Sequence, residues 1–221
     1  MGRQEIFDKV TAALGNKRDS GQKVTVPLSH ADEEGASDDK EAADDKVELF
    51  VERVTDYKAV VVRAAHDEEV ATLVATFLHE ALASSVVVPP GLAEKWCAKA
   101  KAEGVSVLCD DPPLSKETLD DTSAVITAAA AGIAQTGTIV LDHRLDQGRR
   151  IISLLPDTHI CIIREDQVVF GVSEAMARLE PSIHEGQPIT WISGPSATVD
   201  IELIRVEGVH GPRNLYVIIV S

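Results

Sequence analysis

The sequence predicts an α/β fold: a Rossmann-like three-layer sandwich built on a mostly parallel sheet. Two observations carry this. Short β-branched runs alternate with amphipathic helical stretches from Val47 onward, the pattern of parallel strands joined by crossover helices. The 221 residues are also 44% hydrophobic, enough to bury a core.

Taken in order, residues 3–14 carry Ile6, Val10 and Leu14 on one face and predict an amphipathic helix. The polar, glycine-containing stretch 15–45 separates it from the rest. Within it, Ala31 to Lys46 holds eight acidic residues against Lys40 and Lys46. Such a segment has little apolar surface to bury and its charges repel, so it is expected to be a mobile, solvated loop. The chain is therefore expected to divide into an N-terminal helix with an acidic flexible segment, 1–46, and an α/β domain, 47–221. Helical periods in the domain cover 47–54, 67–82, 92–103, 148–155 and 172–179. Strand-like runs cover 59–62, 86–88, 105–108, 124–127, 137–141, 160–163, 189–193 and 215–220. Ligands of open α/β sheets bind beyond the carboxyl ends of strands, which is where Asp110, the Gly132 to Thr138 turn and Gly194-Pro195-Ser196 are expected.

Composition narrows the function classes. A net charge of −15 argues against nucleic acid, because phosphate binding needs clustered Lys and Arg. No apolar run approaches the roughly 18 residues of a membrane span, and Met1 to Glu5 opens an amphipathic pattern, so the expectation is a cytoplasmic chain. Cys97, Cys109 and Cys161 are scattered in apolar contexts and read as buried thiols. No CxxC pair, paired histidines at ligand spacing or dinucleotide fingerprint is present, so no metal, iron–sulfur cluster or other cofactor is expected in this chain.

Three blocks carry the candidate site. Gly132 to Gly137 has the spacing of a phosphate loop without the Lys-Ser/Thr of one; Thr136, Gly137 and Thr138 form either a nest for an anion or carbonyl, or a tight turn. In the second block Ser193, Gly194, Ser196, Thr198 and Asp200 follow a strand and lead into an expected helical turn, where Ser196 or Thr198 would cap free amides and Asp200 would face the positive helix end. The third block, Gly208-Val209-His210-Gly211-Pro212, sets His210 between glycines that allow close approach of a ligand; it is the candidate catalytic proton handler, with Gly211 beside it. The alternative is a turn histidine bonded to a carbonyl. For His159, at the start of a strand, the reading is a satisfied core histidine. Ser196, Asp200 and His210 fall too close together in sequence for a hydrolase of the GxSxG type.

These blocks, with Ile189 to Glu202 and Gly132 to Leu141 read in full, resemble the LUD-domain family of the lactate-utilisation protein C type, from about Val47 to the C-terminus. The resemblance implies a fold related to ribose-phosphate isomerases and CoA transferases. It further implies a bacterial, cytosolic component of the machinery that oxidises L-lactate to pyruvate, working beside separate iron–sulfur subunits. The expected function is thus a non-redox accessory or ligand-binding component. The alternative is an isomerase or CoA-transferase-like enzyme acting on a small carboxylate or phosphorylated ligand. One position departs from the family, which usually has an acidic residue where this chain has Gln135. An amide cannot form the acyl intermediate that CoA transferases of the related fold make on a Glu carboxylate. A pocket lined by all three blocks would favour a catalyst, and an exposed, partly apolar patch a docking subunit.

Overall fold

The computed structural model describes residues 39–199, 205–207 and 211–221; the expected helix at 3–14 and the segment 15–38 lie outside this range. The first half runs α1 (Asp39–Asp56), β1 (Val60–Ala64), α2 (Asp67–Glu80), β2 (Ser85–Val88), a 3-10 turn (Glu94–Cys97) with α3 (Ala98–Ala102), β3 (Ser106–Cys109) and α4 (Lys116–Asp120). Then follow β4 (Ala124–Ala128), β5 (Ala131–Ile133), β6 (Thr138–Leu141), β7 (Thr158–Arg164) and β8 (Val168–Val169). The chain closes with α5 (Val172–His184), β9 (Thr190–Ile192), β10 (Ala197–Val199), β11 (Arg205–Glu207) and β12 (Asn214–Val220).

Six strands in the order β1-β12-β7-β4-β2-β3 form an all-parallel sheet. Its central strands are buried and largely apolar because both faces are covered. Ile160, Ile162, Ile218 and Val220 pack with α2 residues Val70, Val74 and Leu78 on one face. On the other face Cys161, Ile163, Val217 and Ile219 meet Val47, Phe50 and Val54 of α1. The mostly parallel α/β architecture is the one the alternation predicts.

Several elements differ from the sequence expectation. Helix α1 begins at Asp39, inside the acidic stretch read as loop, so it crosses the expected boundary at 46/47. Lys40, Glu41, Ala42 and Ala43 are strong helix formers, and the packing of Val47, Phe50 and Val54 extends the helix into them. Residues 137–141 and 189–193 do not join the parallel sheet: β6 and β9 pair antiparallel in a second sheet ordered β8-β5-β6-β9. The expected helical turn after Ser196 is instead a strand, β10, paired with β11 through Ala197↔Glu207, Thr198↔Val206 and Val199↔Arg205. β-Branched residues on both sides favour the hairpin over a helix, so no helix end forms there for Ser196 or Thr198 to cap. Cys97 and Cys161 are buried as expected, but Cys109 is exposed, because it ends the edge strand β3. Among the described residues, no helix is long and apolar enough to cross a membrane.

Helix α1 locks the second sheet to the first. A Cβ on Gly132 would lie 3.0 Å from the Phe50 ring, and one on Gly137 2.7 Å from the Arg53 carbonyl carbon. Gly137 also has φ +59, so glycine is required there for both space and conformation.

Candidate functional site

Strand β9 lies beside β6 in the register Leu141↔Thr190 to Ile139↔Ile192, which brings Ser193 alongside Thr138. A hydroxyl chain results: Ser193 Oγ to Thr138 Oγ1 at 2.8 Å, and Thr138 Oγ1 to Thr136 Oγ1 at 2.8 Å. Gly194 follows with φ +100, and a Cβ there would sit 2.7 Å from Tyr57 Cβ, just past α1. The Ser196 amide donates to the Pro212 carbonyl at 2.8 Å, and Gly211 packs on the Ser196 side chain. The second and third sequence blocks therefore meet.

They border a cavity of about 230 Å3 whose lining includes Arg150, Ser153, His159, Ser193, Ser196 and Gly211. No Asp or Glu is among its described lining residues. Arg150 is exposed and, among the described residues, has no carboxylate partner. Arg150 and Ser153 come from a 3-10 turn, Arg150–Ser153, which the sequence reading took only as a helical stretch. His159 is buried on the cavity floor, with Nε2 2.8 Å from Thr127 Oγ1, and burial pushes its pKa down to about 4. It is therefore a neutral, hydrogen-bonded core histidine near pH 7.

The cavity adjoins His159 and Leu215, which start β7 and β12. It thus opens at the amino edge of the central sheet, whereas Gly194-Pro195-Ser196 were expected at the carboxyl edge. The reason is topological: β9 belongs to the second sheet, whose antiparallel pairing carries the chain back to the amino edge. Thr136 and Thr138 reach this cavity only through the Ser193 hydroxyl, and Gln135 is exposed, with its backbone N–H donating to the Phe170 carbonyl. Asp200 and His210 lie outside the described residues, as do the side-chain surroundings of Thr198.

The carboxyl edge holds Asp110, as expected, but the crevice between β2 and β4 is filled by the chain itself. The loop from Asp142 to Arg149 folds over it: the Gly91 amide donates to the Leu145 carbonyl and the Ala128 amide to that of Asp146. Arg149 clamps the loop by donating to both Asp110 oxygens, at 2.6 and 2.8 Å, and to the Leu114 carbonyl. Burial pushes the Asp110 carboxyl up, but the Arg149 hydrogen bonds and charge and the Leu114 amide outweigh it and hold the group below the usual aspartate range.

Beside this loop, a second cavity of about 270 Å3 lies against Asp142, Asp146, Arg178 and Ser182. Asp142 Oδ2 accepts from Ser182 Oγ at 2.6 Å and Arg144 Nε at 3.3 Å, while the buried Oδ1 has no partner among the described residues. Leaving such an oxygen unpaired costs on the order of 1–3 kcal/mol. No sequence motif marks this cluster. Among the described residues, no three His, Cys, Asp or Glu side chains converge as metal ligands would.

The family model of the LUD domain matches residues 47–220. The chain belongs to the LUD domain family. This LUD protein is 49% identical over 172 residues to the lactate utilization protein C of Deinococcus radiodurans, covering 78% of each chain. It is 34% identical over 137 residues to the lactate utilization protein C of Geobacillus kaustophilus, spanning 55% of that relative. A crystal structure of a DUF162 family protein from Deinococcus radiodurans superposes with a TM-score of 0.70 at 41% identity, covering 81% of this chain and 98% of that one. The LUD fold thus frames both edges described above.

Proposed function

We propose that this chain is a non-redox, ligand-binding component of L-lactate utilisation, and that its ligand is a small carboxylate held at the amino-edge cavity. The observation that carries this reading is the lining of that cavity: an Arg150 without an acidic partner among the described residues and serine hydroxyls, with no described carboxylate to repel an anion. Arg150 would pair with the ligand carboxylate and Ser193 and Ser196 would orient its remaining oxygens. The relatives named lactate utilization protein C supply the pathway, and the cytoplasm and separate iron–sulfur partners belong to the same reading. His210, next to Gly211 in the chain, is the proposed proton handler should the ligand be transformed there, and Thr198 and Asp200 are kept as proposed members of the same ligand site.

The test is genetic and then biochemical. Removing the gene is expected to abolish growth on L-lactate but not on pyruvate, and His210→Ala or Arg150→Gln is expected to fail to restore it while the purified variants unfold at an unchanged midpoint. Normal growth of the deletion strain on L-lactate would sink the reading. The domain division is part of the proposal. Deleting residues 1–38, which keeps α1 whole, is expected to lower the thermal midpoint by no more than roughly 2 °C, under about 1 kcal/mol.

A further inference from the structure

The cavity at the carboxyl edge has no part in that reading; Arg144 of its lining pairs with Asp142 Oδ2 at 3.3 Å, while its other cation, Arg178, stands apart from the carboxylates. Arg178 donates from Nε to the Ala130 carbonyl at 3.1 Å and from Nη1 to the Asp166 carbonyl at 3.0 Å, which pins the guanidinium to backbone. Among the described residues no carboxylate pairs with it. Asp146 lines the same cavity without a cationic partner among the described residues. Its burial, with the nearby Asp142 charge acting in the same direction, raises its carboxyl above the usual aspartate range. Asp142 is only 5% exposed and its Oδ1 has no donor among the described residues. The 142–147 loop therefore offers an Asp142 oxygen with no donor among the described residues and an Asp146 carboxylate met by Gln147 Nε2 at 3.4 Å, and α5 offers a cation with no carboxylate beside it among the described residues. Arg178 and Ser182, the latter bonded to Asp142, are one helical turn apart on α5, roughly 5–6 Å between Cβ atoms, a span that a compact dipolar molecule bridges.

We propose that this cavity binds a small zwitterion of the α-amino acid type, its ammonium between Asp142 and Asp146 and its carboxylate against Arg178. An ammonium brings three donors to two carboxylates, whereas the hydroxyl of a hydroxy acid brings one and leaves the second carboxylate unsatisfied. The cavity of about 270 Å3 selects the smaller amino acids, with glycine, alanine and serine the first probes.

The experiment uses the purified full chain, screened by thermal shift against the twenty standard amino acids and followed by calorimetry. At least one small amino acid is expected to bind saturably. Acetate and methylammonium, each carrying one half of the charge pattern, are expected to bind about tenfold more weakly or worse. Arg178→Gln on the exposed helix face, Asp146→Asn and Asp142→Asn are each expected to weaken binding by about tenfold or more, with circular dichroism unchanged. L-Lactate held at the amino edge would not displace the amino acid. Absence of saturable binding by any of the twenty, affinity unmoved by both Arg178→Gln and Asp146→Asn, or displacement by L-lactate would overturn the proposal without touching the amino-edge reading.

Discussion

The two edges of the central sheet use different chemistry. At the amino edge, hydroxyls and glycines from two neighbouring motif blocks line a cavity with Arg150, which has no carboxylate partner among the described residues. The carboxyl edge relies on partners brought together from far apart in the chain: the ion pairs of Asp110 with Arg149 across 39 positions and of Arg144 with Glu185 across 41, and the hydrogen bond of Ser182 to Asp142 across 40. A hydroxyl of the hydrogen-bonded chain at the amino edge can be lost with modest effect on folding. One member of a buried charge pair cannot, because the survivor stays desolvated. The difference teaches that motif density in the sequence and mechanical importance in the fold lie on opposite sides of the sheet.

The contrast breaks most readily by pH. His159 has a folded pKa of about 4 against an ordinary 6.5, so the unfolded chain binds the extra proton between these values. Stability is full above pH 6.5 and falls as pH drops toward 4, by about 3 kcal/mol from this group. Urea unfolding at pH 7 and 4.5 should show His159→Gln losing that share of the pH dependence. An unchanged slope in the variant would mean that the amino edge carries no such coupling.

Arg149→Met comes next. It strands the buried Asp110 carboxylate and is expected to cost about 2–3 kcal/mol, discounted because Arg149 is partly exposed. The Asp110 contribution is present above the ordinary aspartate pKa and disappears as pH falls through its depressed folded value, so the deficit of the variant should shrink in acid. A constant deficit down to the lowest accessible pH would assign the cost to packing.

Gly194→Ala is expected to cost about 1–3 kcal/mol, through the left-handed backbone and the contact with Tyr57, as read from the denaturation midpoint. Full stability there would show that the turn yields more easily than its geometry indicates. The smallest effect, about 1 kcal/mol, belongs to Thr138→Val, which cuts the hydroxyl chain behind Ser193. A loss as large as that of Arg149→Met would erase the distinction between the two edges.

What the sequence disclosed follows the range of the forces involved. Strands such as Ile160 to Ile163 announce themselves through β-branched runs, and the meeting of Ser196 with Gly211 through glycine-rich blocks near each other in the chain. Strand β5 runs into the Gly132 to Gly137 block unseen because glycine and alanine carry no strand signal, and the two glycines are explained by Phe50 and Arg53 of a helix some 80 positions earlier. β10 was misread because Ser196 and Thr198 look like caps until Val206 is known to lie opposite. Arg150 in the cavity and the Asp142 cluster depend on partners tens of residues away, for which a single sequence holds no periodicity to read.

Phe50, Arg53 and Tyr57 are spaced i, i+3 and i+7, and each meets one glycine: Gly132, Gly137 and Gly194 in turn. That stripe acts as a ruler laid across the second sheet and the amino-edge turn, setting their positions in common. One residue inserted between Phe50 and Tyr57 would rotate the far end of the ruler by about 100° and misalign its marks against glycines that lie far apart in the chain. Evolutionary change in the length of this helix is therefore tied to the second sheet and the amino-edge turn, so that such changes are tolerated only when all three are altered together.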